Sequence, residues 1–264
     1  MKTTIKITIS IISILLLVIL MGYKVIKDRT SVLSVIPTYT NYNNPNDSII
    51  KIGIIGDSWA VNSHNHNFGN YIDSLFAASS ITSQTSLLYG KNGIKTKDIY
   101  QNLIYNNLVK ETLNSNMDYC IVFGGINDLH GQYGPEYYSK HIESIMNYLL
   151  YHKITPIIIE IPDTYYLEQY KLYPLWKRIS YKILSLYTCG NIHLNNVNKY
   201  RTAIKNIISK HFEDKIIYIR TEHTINLQQK FFIDNMHINQ LGYRMLANRI
   251  KKEILRHYNY ENCN

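Results

Sequence analysis

The chain predicts an α/β fold: a three-layer α/β/α sandwich with a central parallel sheet. Three observations carry that expectation. Five short apolar runs of strand length are separated by segments of ten or more residues with helical periodicity. Strands joined by helices imply right-handed crossovers, and so a parallel sheet covered on both faces. The runs are continuously apolar rather than alternating, as strands buried on both faces must be. With 264 residues, the chain suits one such domain plus a targeting segment, and a hydrophobic fraction of 45% supplies a substantial core.

Taken in order, residues 1–30 read as a signal anchor or transmembrane segment. Ile7 to Tyr23 is apolar, with no charge and no proline, flanked by Lys2 and Lys6 before it and Lys24, Lys27 and Arg29 after it. That length is the lower edge of a spanning helix and exceeds a usual signal-peptide core. No Ala-x-Ala-like cleavage site follows closely, so an uncleaved anchor is expected, with a cleaved signal and secretion as the alternative. Basic residues on both sides leave the positive-inside count undecided; the domain that follows is taken to lie outside the cytoplasm. Residues 31–48, rich in Ser, Thr, Tyr, Asn and Pro, read as a linker. The domain then occupies 49–264.

Within the domain, strands are expected at Ile49–Ile55, Thr85–Tyr89, Tyr119–Phe123, Thr155–Ile161 and Lys215–Ile219. Helices are expected near 68–79, 96–113, 135–152, 167–187 and 196–211. A last one, about 239–257, has Leu241, Met245, Leu246, Ile250 and Leu255 at helical spacing.

The first strand closes on Gly56-Asp57-Ser58-Trp59. A serine at the end of a parallel strand, on the turn into a helix, presents its hydroxyl where α/β folds bind ligands. By residue usage such a triplet arises by chance in roughly one chain in fifteen, so its weight comes from later segments. Gly124-Gly125-Ile126-Asn127-Asp128 ends the third strand, and Asp234-Asn235-Met236-His237 precedes the last helix. Ser58 is the candidate nucleophile, against the plain role of a helix cap. His237 is the candidate base. Asp234, three residues before it, shares its side of a turn and can hold Nδ1, leaving Nε2 for the serine. Asn127 can donate its amide to an oxyanion. Gly93, after the second strand, lets backbone approach a substrate and offers its N–H.

This order of motifs resembles the SGNH (GDSL-like) hydrolase family over roughly residues 50–255, including Phe232 to Asn239 and the Leu241-Gly242-Tyr243 that opens the last helix. The resemblance implies a flavodoxin-like SGNH hydrolase fold and a serine esterase. Ser58 would be nucleophile, His237 base and Asp234 its partner. The oxyanion hole would comprise the Ser58 N–H, the Gly93 N–H and the Asn127 side chain. No cofactor or metal would be needed. Asp57 would fix the turn rather than serve as the acid. Trp59 departs from the family's usual leucine and is expected to alter the pocket wall. A Tyr-rich segment, including Tyr165, Tyr166, Tyr170, Tyr173, Trp176 and Tyr181, is a second departure.

The substrate expected is an ester of a short acyl group, acetyl first, on a cell-surface glycan, with a lysophospholipid or other lipid ester as alternative. If a sugar hydroxyl replaces water, the same site becomes an O-acyltransferase. A membrane-anchored binding protein on a hydrolase scaffold is the non-enzyme alternative, and the complete set of Ser58, Asp234 and His237 argues against it.

The remaining features are weaker. The net charge is +9; losing residues 1–30 removes five basic residues and Asp28 and leaves +5. Arg244, Arg249, Lys251, Lys252 and Arg256 read as a solvated helix face, or as a face for an anionic membrane or glycan. No nucleic-acid motif is visible. His64 and His66 lack a third metal ligand. His130, close after Asn127, could face the site, though a surface place is the first expectation. Cys120 reads as a buried small hydrophobe. A Cys189–Cys263 disulfide is open if the domain is exported.

Overall fold

A computed structural model describes residues 2–30, 49–79, 81–114, 117–187, 197–221, 224–225 and 228–263. The expected linker, 31–48, lies outside the described residues, as does Cys189 of the pair left open for a disulfide. Helix α1 (Lys2–Thr30) holds an exposed apolar stretch, Lys6–Val25, of mean hydropathy 2.2. By length and composition it can cross a membrane, a test that a signal sequence also passes.

The domain runs β1 (Ile49–Gly56), α2 (Ser58–Asn65), α3 (Phe68–Ala77), β2 (Thr82–Gly90), α4 (Thr96–Tyr105), α5 (Asn107–Asn114) and β3 (Tyr119–Phe123). It continues α6 (Ile126–His130), α7 (Pro135–Tyr151), β4 (Thr155–Ile159), α8 (Tyr166–Lys171), α9 (Leu175–Tyr187), α10 (Val197–His211), β5 (Ile217–Ile219) and α11 (Gln240–Cys263). The strands form one parallel sheet in the order β2-β1-β3-β4-β5, with Ile54 paired to Ile121, Ile121 to Ile157 and Ile157 to Ile217.

Strand side chains alternate between two cores, because successive Cβ atoms point to opposite faces. Tyr119, Ile121 and Phe123 join one core with α2, α3 and α11. Cys120 and Val122 join the other with α4, α5, α7 and α10. Both faces are covered, so the strands read as continuous apolar runs. Each fully buried aliphatic or aromatic side chain contributes about 1.5–3 kcal/mol. The chain leaves β1 for one side of the sheet and returns to the other. The C-terminal end of β1 therefore sits at the topological switch point, where the crossovers diverge and leave a crevice.

Several boundaries differ from expectation. Strand β2 starts at Thr82 rather than Thr85. It is an edge strand whose polar start is held by Asp73, which accepts from the Ser83 hydroxyl (2.8 Å) and from the Thr85 N–H (3.1 Å) and hydroxyl (2.8 Å). An apolar pattern does not register that kind of anchoring. Strand β4 stops at Ile159; Glu160 makes the last bond to β5, N–H to Ile219 O, and turns its carboxylate into a polar network with Thr221. The helix expected over 96–113 is two helices, parted at Asn106, whose side chain accepts from the N–H groups of Leu108 and Val109 and so starts a new helix. The helix expected over 167–187 breaks at Pro174, which lacks an N–H and disfavours helical backbone before it. Short helices α2 and α6 were not expected; neither is long enough to show a period. Helix α11 extends past the expected 257 to Cys263.

Candidate active site

Three connections converge on the carboxyl end of β1. The first is the turn from β1 into α2. Gly56 has φ 152°, and a Cβ there would collide with the Phe123 carbonyl of β3, so this position requires glycine. Asp57 donates its N–H to Phe123 O (3.1 Å) and caps α2, accepting from Trp59 N–H at 2.9 Å. Ser58 is thereby the first residue of the helix, buried at the sheet edge. Its own N–H is one of the helix-start donors that have no intrahelical acceptor.

The second connection follows β3. Gly125, with φ 107°, turns the chain into α6. Asn127 donates its amide to Asp57 Oδ2 at 3.3 Å, which leaves the second amide hydrogen for another acceptor. Asp128 is fully buried and accepts from the Thr96 hydroxyl (2.7 Å) and Thr96 N–H (3.1 Å) at the start of α4. That bond ties α6 to the loop after β2. In this loop Lys91 donates its N–H to Gly56 O (3.2 Å), and Gly93 has φ 76° with open space around its Cβ direction.

The third is the loop before α11. Phe232 and Ile238 form an antiparallel bridge, and Ile233 N–H donates to His237 O at 2.8 Å, closing a tight loop over 233–237. Asp234 Oδ1 accepts from the N–H groups of Met236 and His237, each at 2.7 Å. Its other oxygen lies 2.8 Å from His237 Nδ1. His237 Nε2 lies 3.0 Å from Ser58 Oγ. The carboxylate assigns the proton to Nδ1, so Nε2 accepts from the serine hydroxyl.

The structure thus brings Ser58, His237 and Asp234 into one hydrogen-bonded chain, with Asn127 joined to Asp57 beside it. Gly93 sits on a loop bonded to the end of β1. Trp59 does more than line a wall. Its indole N–H donates to Met236 O (3.1 Å), and its carbonyl accepts from the Tyr243 hydroxyl (2.7 Å). The residue after the serine therefore locks the histidine loop and α11 to the helix that Ser58 opens. Trp59 was visible in the sequence as a departure, but its partners were not.

The carboxylates divide by environment. Burial pushes Asp57 up to about 7, with the Asp128 charge adding to the rise and the Trp59 N–H opposing it. Burial likewise raises Asp128 to about 6. Asp234 lies below its ordinary value. Partial burial pushes it up, but the hydrogen bonds from His237 and the Met236 and His237 N–H groups outweigh that. His130, expected at the surface, is instead buried and lowered to about 4 by burial first, then by the charges of His237 and Lys177. It stands after α6 turns inward, a placement that a short loop motif does not reveal. His66 packs on the Tyr243 ring with centroids 5.5 Å apart. Among the described residues no three His, Cys, Asp or Glu side chains cluster as metal ligands. Cys120 is buried and free.

The Tyr-rich segment borders this loop. Tyr165 donates its N–H to Asn235 O (2.9 Å) and packs edge-on against Phe232, and the Asn235 amide donates to Gln169 (3.3 Å).

No protein-family model matches the chain, and no curated protein matches it. Solved structures do. A GDSL-like lipase from Bacteroides thetaiotaomicron is 14% identical, with 81% of this chain and 92% of that chain covered at a TM-score of 0.52. A lipase/acylhydrolase from Enterococcus faecalis is 16% identical, covering 78% and 95%, at 0.54. A variant of an acetyl-xylooligosaccharide esterase from Geobacillus is 16% identical, covering 78% and 94%, at 0.55. The fold is the SGNH hydrolase fold. At these identities the likeness is one of architecture, and it extends over nearly the whole of each of those chains.

Proposed function

We propose that the chain is an SGNH-type serine esterase. The observation that carries this reading is the chain Asp234–His237–Ser58, with contacts of 2.8 and 3.0 Å at the switch point of the sheet. Ser58 Oγ attacks the ester carbonyl carbon while His237 Nε2 takes its proton. The carbonyl oxygen becomes an oxyanion, held by the Ser58 N–H, the Gly93 N–H and the free hydrogen of the Asn127 amide. The tetrahedral adduct collapses, the carbon–oxygen bond to the alcohol breaks, and His237 returns the proton to that alcohol. Water, deprotonated by His237, then attacks the acyl-serine and releases the acid. Asp234 keeps the imidazole in the right tautomer and stabilises it while charged.

The substrate we propose is a short acyl ester, acetyl first, on a cell-surface glycan. The similarity to an acetyl-xylooligosaccharide esterase supports it. So does α1, which as an anchor would hold the domain at a membrane outside the cytoplasm. A fluorophosphonate probe tests the chemistry: it labels the wild-type chain and leaves Ser58→Ala unlabelled, with turnover of an aryl acetate falling by about 10⁴–10⁶. Labelling of Ser58→Ala, or activity within tenfold of wild type, rejects the nucleophile. Acetate release from isolated surface polysaccharide tests the substrate. Preference for acyl chains of eight or more carbons without such release rejects the glycan.

A further inference from the structure

Helix α9 is amphipathic, but it is mounted inside out. One stripe of apolar side chains faces solvent: Leu175 is 64% exposed, Trp176 70%, Ile179 48% and Ile183 49%, and Leu172, just before the Pro174 break, is 71% exposed. At 100° per residue, Leu175, Trp176, Ile179 and Ile183 fall within one stripe about 100° wide. On the other side Lys177, Arg178, Ser180 and Tyr181 are half-buried. Lys177 lies over the Tyr173 ring at 3.7 Å and near Tyr181 at 5.8 Å, and Ser180 bonds Lys177 O. A surface helix of a soluble domain has the reverse arrangement.

We propose that α9 is an in-plane interfacial helix that seats this domain on an anionic lipid bilayer. Composition selects that occupant. A tryptophan among branched aliphatics is the pattern of the membrane–water interface. Exposed cationic residues edge the stripe, with Lys182 beside it on α9 and Lys171 before its start, where they meet anionic headgroups. Helix α1 supplies the proximity. A chain as long as residues 31–48 reaches at most about 60 Å when fully extended, so an inserted α1 keeps α9 within reach of the same bilayer. Such tethering turns a weak surface contact into a populated one. The contact also sets orientation. Helix α8, joined to α9 through Pro174 and the Tyr170 hydroxyl bond to Arg178 O (3.1 Å), is tied to the histidine loop by Gln169 and Tyr165. The candidate active site thus lies beside the lipid-facing edge.

The chain's two tryptophans make the test direct. Trp59 is buried at 3% exposure, so quenching by lipid reports Trp176. The full chain is mixed with phosphatidylglycerol vesicles whose acyl chains are brominated or plain. A ring lying 5–10 Å into the interface loses about half or more of its emission to brominated chains. That loss should vanish in Trp176→Phe and in Leu175→Glu/Ile179→Glu, while both variants still hydrolyse a soluble aryl ester. It should also weaken in phosphatidylcholine vesicles. Equal emission with brominated and plain lipid overturns the proposal. So does quenching that persists in Trp176→Phe or in the double glutamate variant. A blue shift that tracks protein concentration without quenching assigns the face to a second copy and also overturns it. Retention of the chain after a carbonate wash reads α1 separately, so failure of the anchor and failure of α9 are distinguishable.

Discussion

Two aspartates attend Ser58, and their surroundings are opposite. Asp57 is its neighbour in sequence, 1% exposed, and pushed up to about 7 by burial. Asp234 is distant in sequence, with a side chain 54% exposed, and held below its ordinary value by three hydrogen bonds. Asp234 touches His237; Asp57 touches the Trp59 N–H and the Asn127 amide. Adjacency to Ser58 does not make an acid the partner of its histidine. A carboxylate that must stay ionised against an imidazolium does so with water and N–H donors around it, which the open histidine loop supplies. The buried one is better suited to fixing backbone and amide positions.

The comparison breaks most visibly with Asp234→Asn. Losing the carboxylate that assigns the proton to Nδ1 should lower kcat by about 10³–10⁴, as a wrong tautomer does in serine hydrolases generally. Next comes Asn127→Ala, expected to lower kcat about 10²–10³ while KM changes little, because the amide acts on developing charge. A rise in KM alone would remove Asn127 from the oxyanion site. Smaller still is Asp57→Asn. It keeps an oxygen for the Trp59 N–H and loses one bond to Asn127, a cost near tenfold in kcat. If Asp57→Asn matched Asp234→Asn, the division of labour argued from burial would fail.

The same contrast has a pH signature. Unfolded, both kinds of aspartate lose their protons near the ordinary value of 3.8. Folded, Asp57 keeps its proton to about 7 and Asp128 to about 6. Between pH 4 and 7 the folded chain therefore binds more protons than the unfolded one, and stability from these two groups falls as pH rises, then levels off. Asp234 acts in the other direction. Its contribution is present above pH 4 and is lost as pH falls through its lowered folded value. Urea midpoints from pH 3 to 8 should show both limbs, and Asp57→Asn should shrink the one between 4 and 7 to the part that Asp128 supplies, ending near 6, and leave the acid limb in place.

Much of the architecture was legible in the chain. The apolar runs at Ile49, Tyr119 and Thr155 are buried on both faces, and burial is what writes a run of isoleucines. The edge strand was half legible, since its first residues are held by Asp73 rather than by apolar packing. Breaks at Asn106 and Pro174 were present as residue types but were outweighed by helical periodicity on either side. Of the site, the serine, asparagine, glycine and Asp-x-x-His positions could be named from motif order. The contacts that hold those segments against one another could not. The Trp59 contact to Met236, the Asp128 tie to Thr96 and the inward turn of His130 all join segments far apart in sequence, and no local pattern encodes them.

The sequence by itself determined the alternation of strands and helices, the parallel sheet and the residue types at the sheet's edge, because periodicity and turn chemistry are local. The tertiary structure alone decided which carboxyls keep their protons, how Trp59 joins the histidine loop to the helix of Ser58, and which face of α9 is turned to solvent. Those depend on the distance between groups and on how much water each retains, and both are set only when distant segments pack.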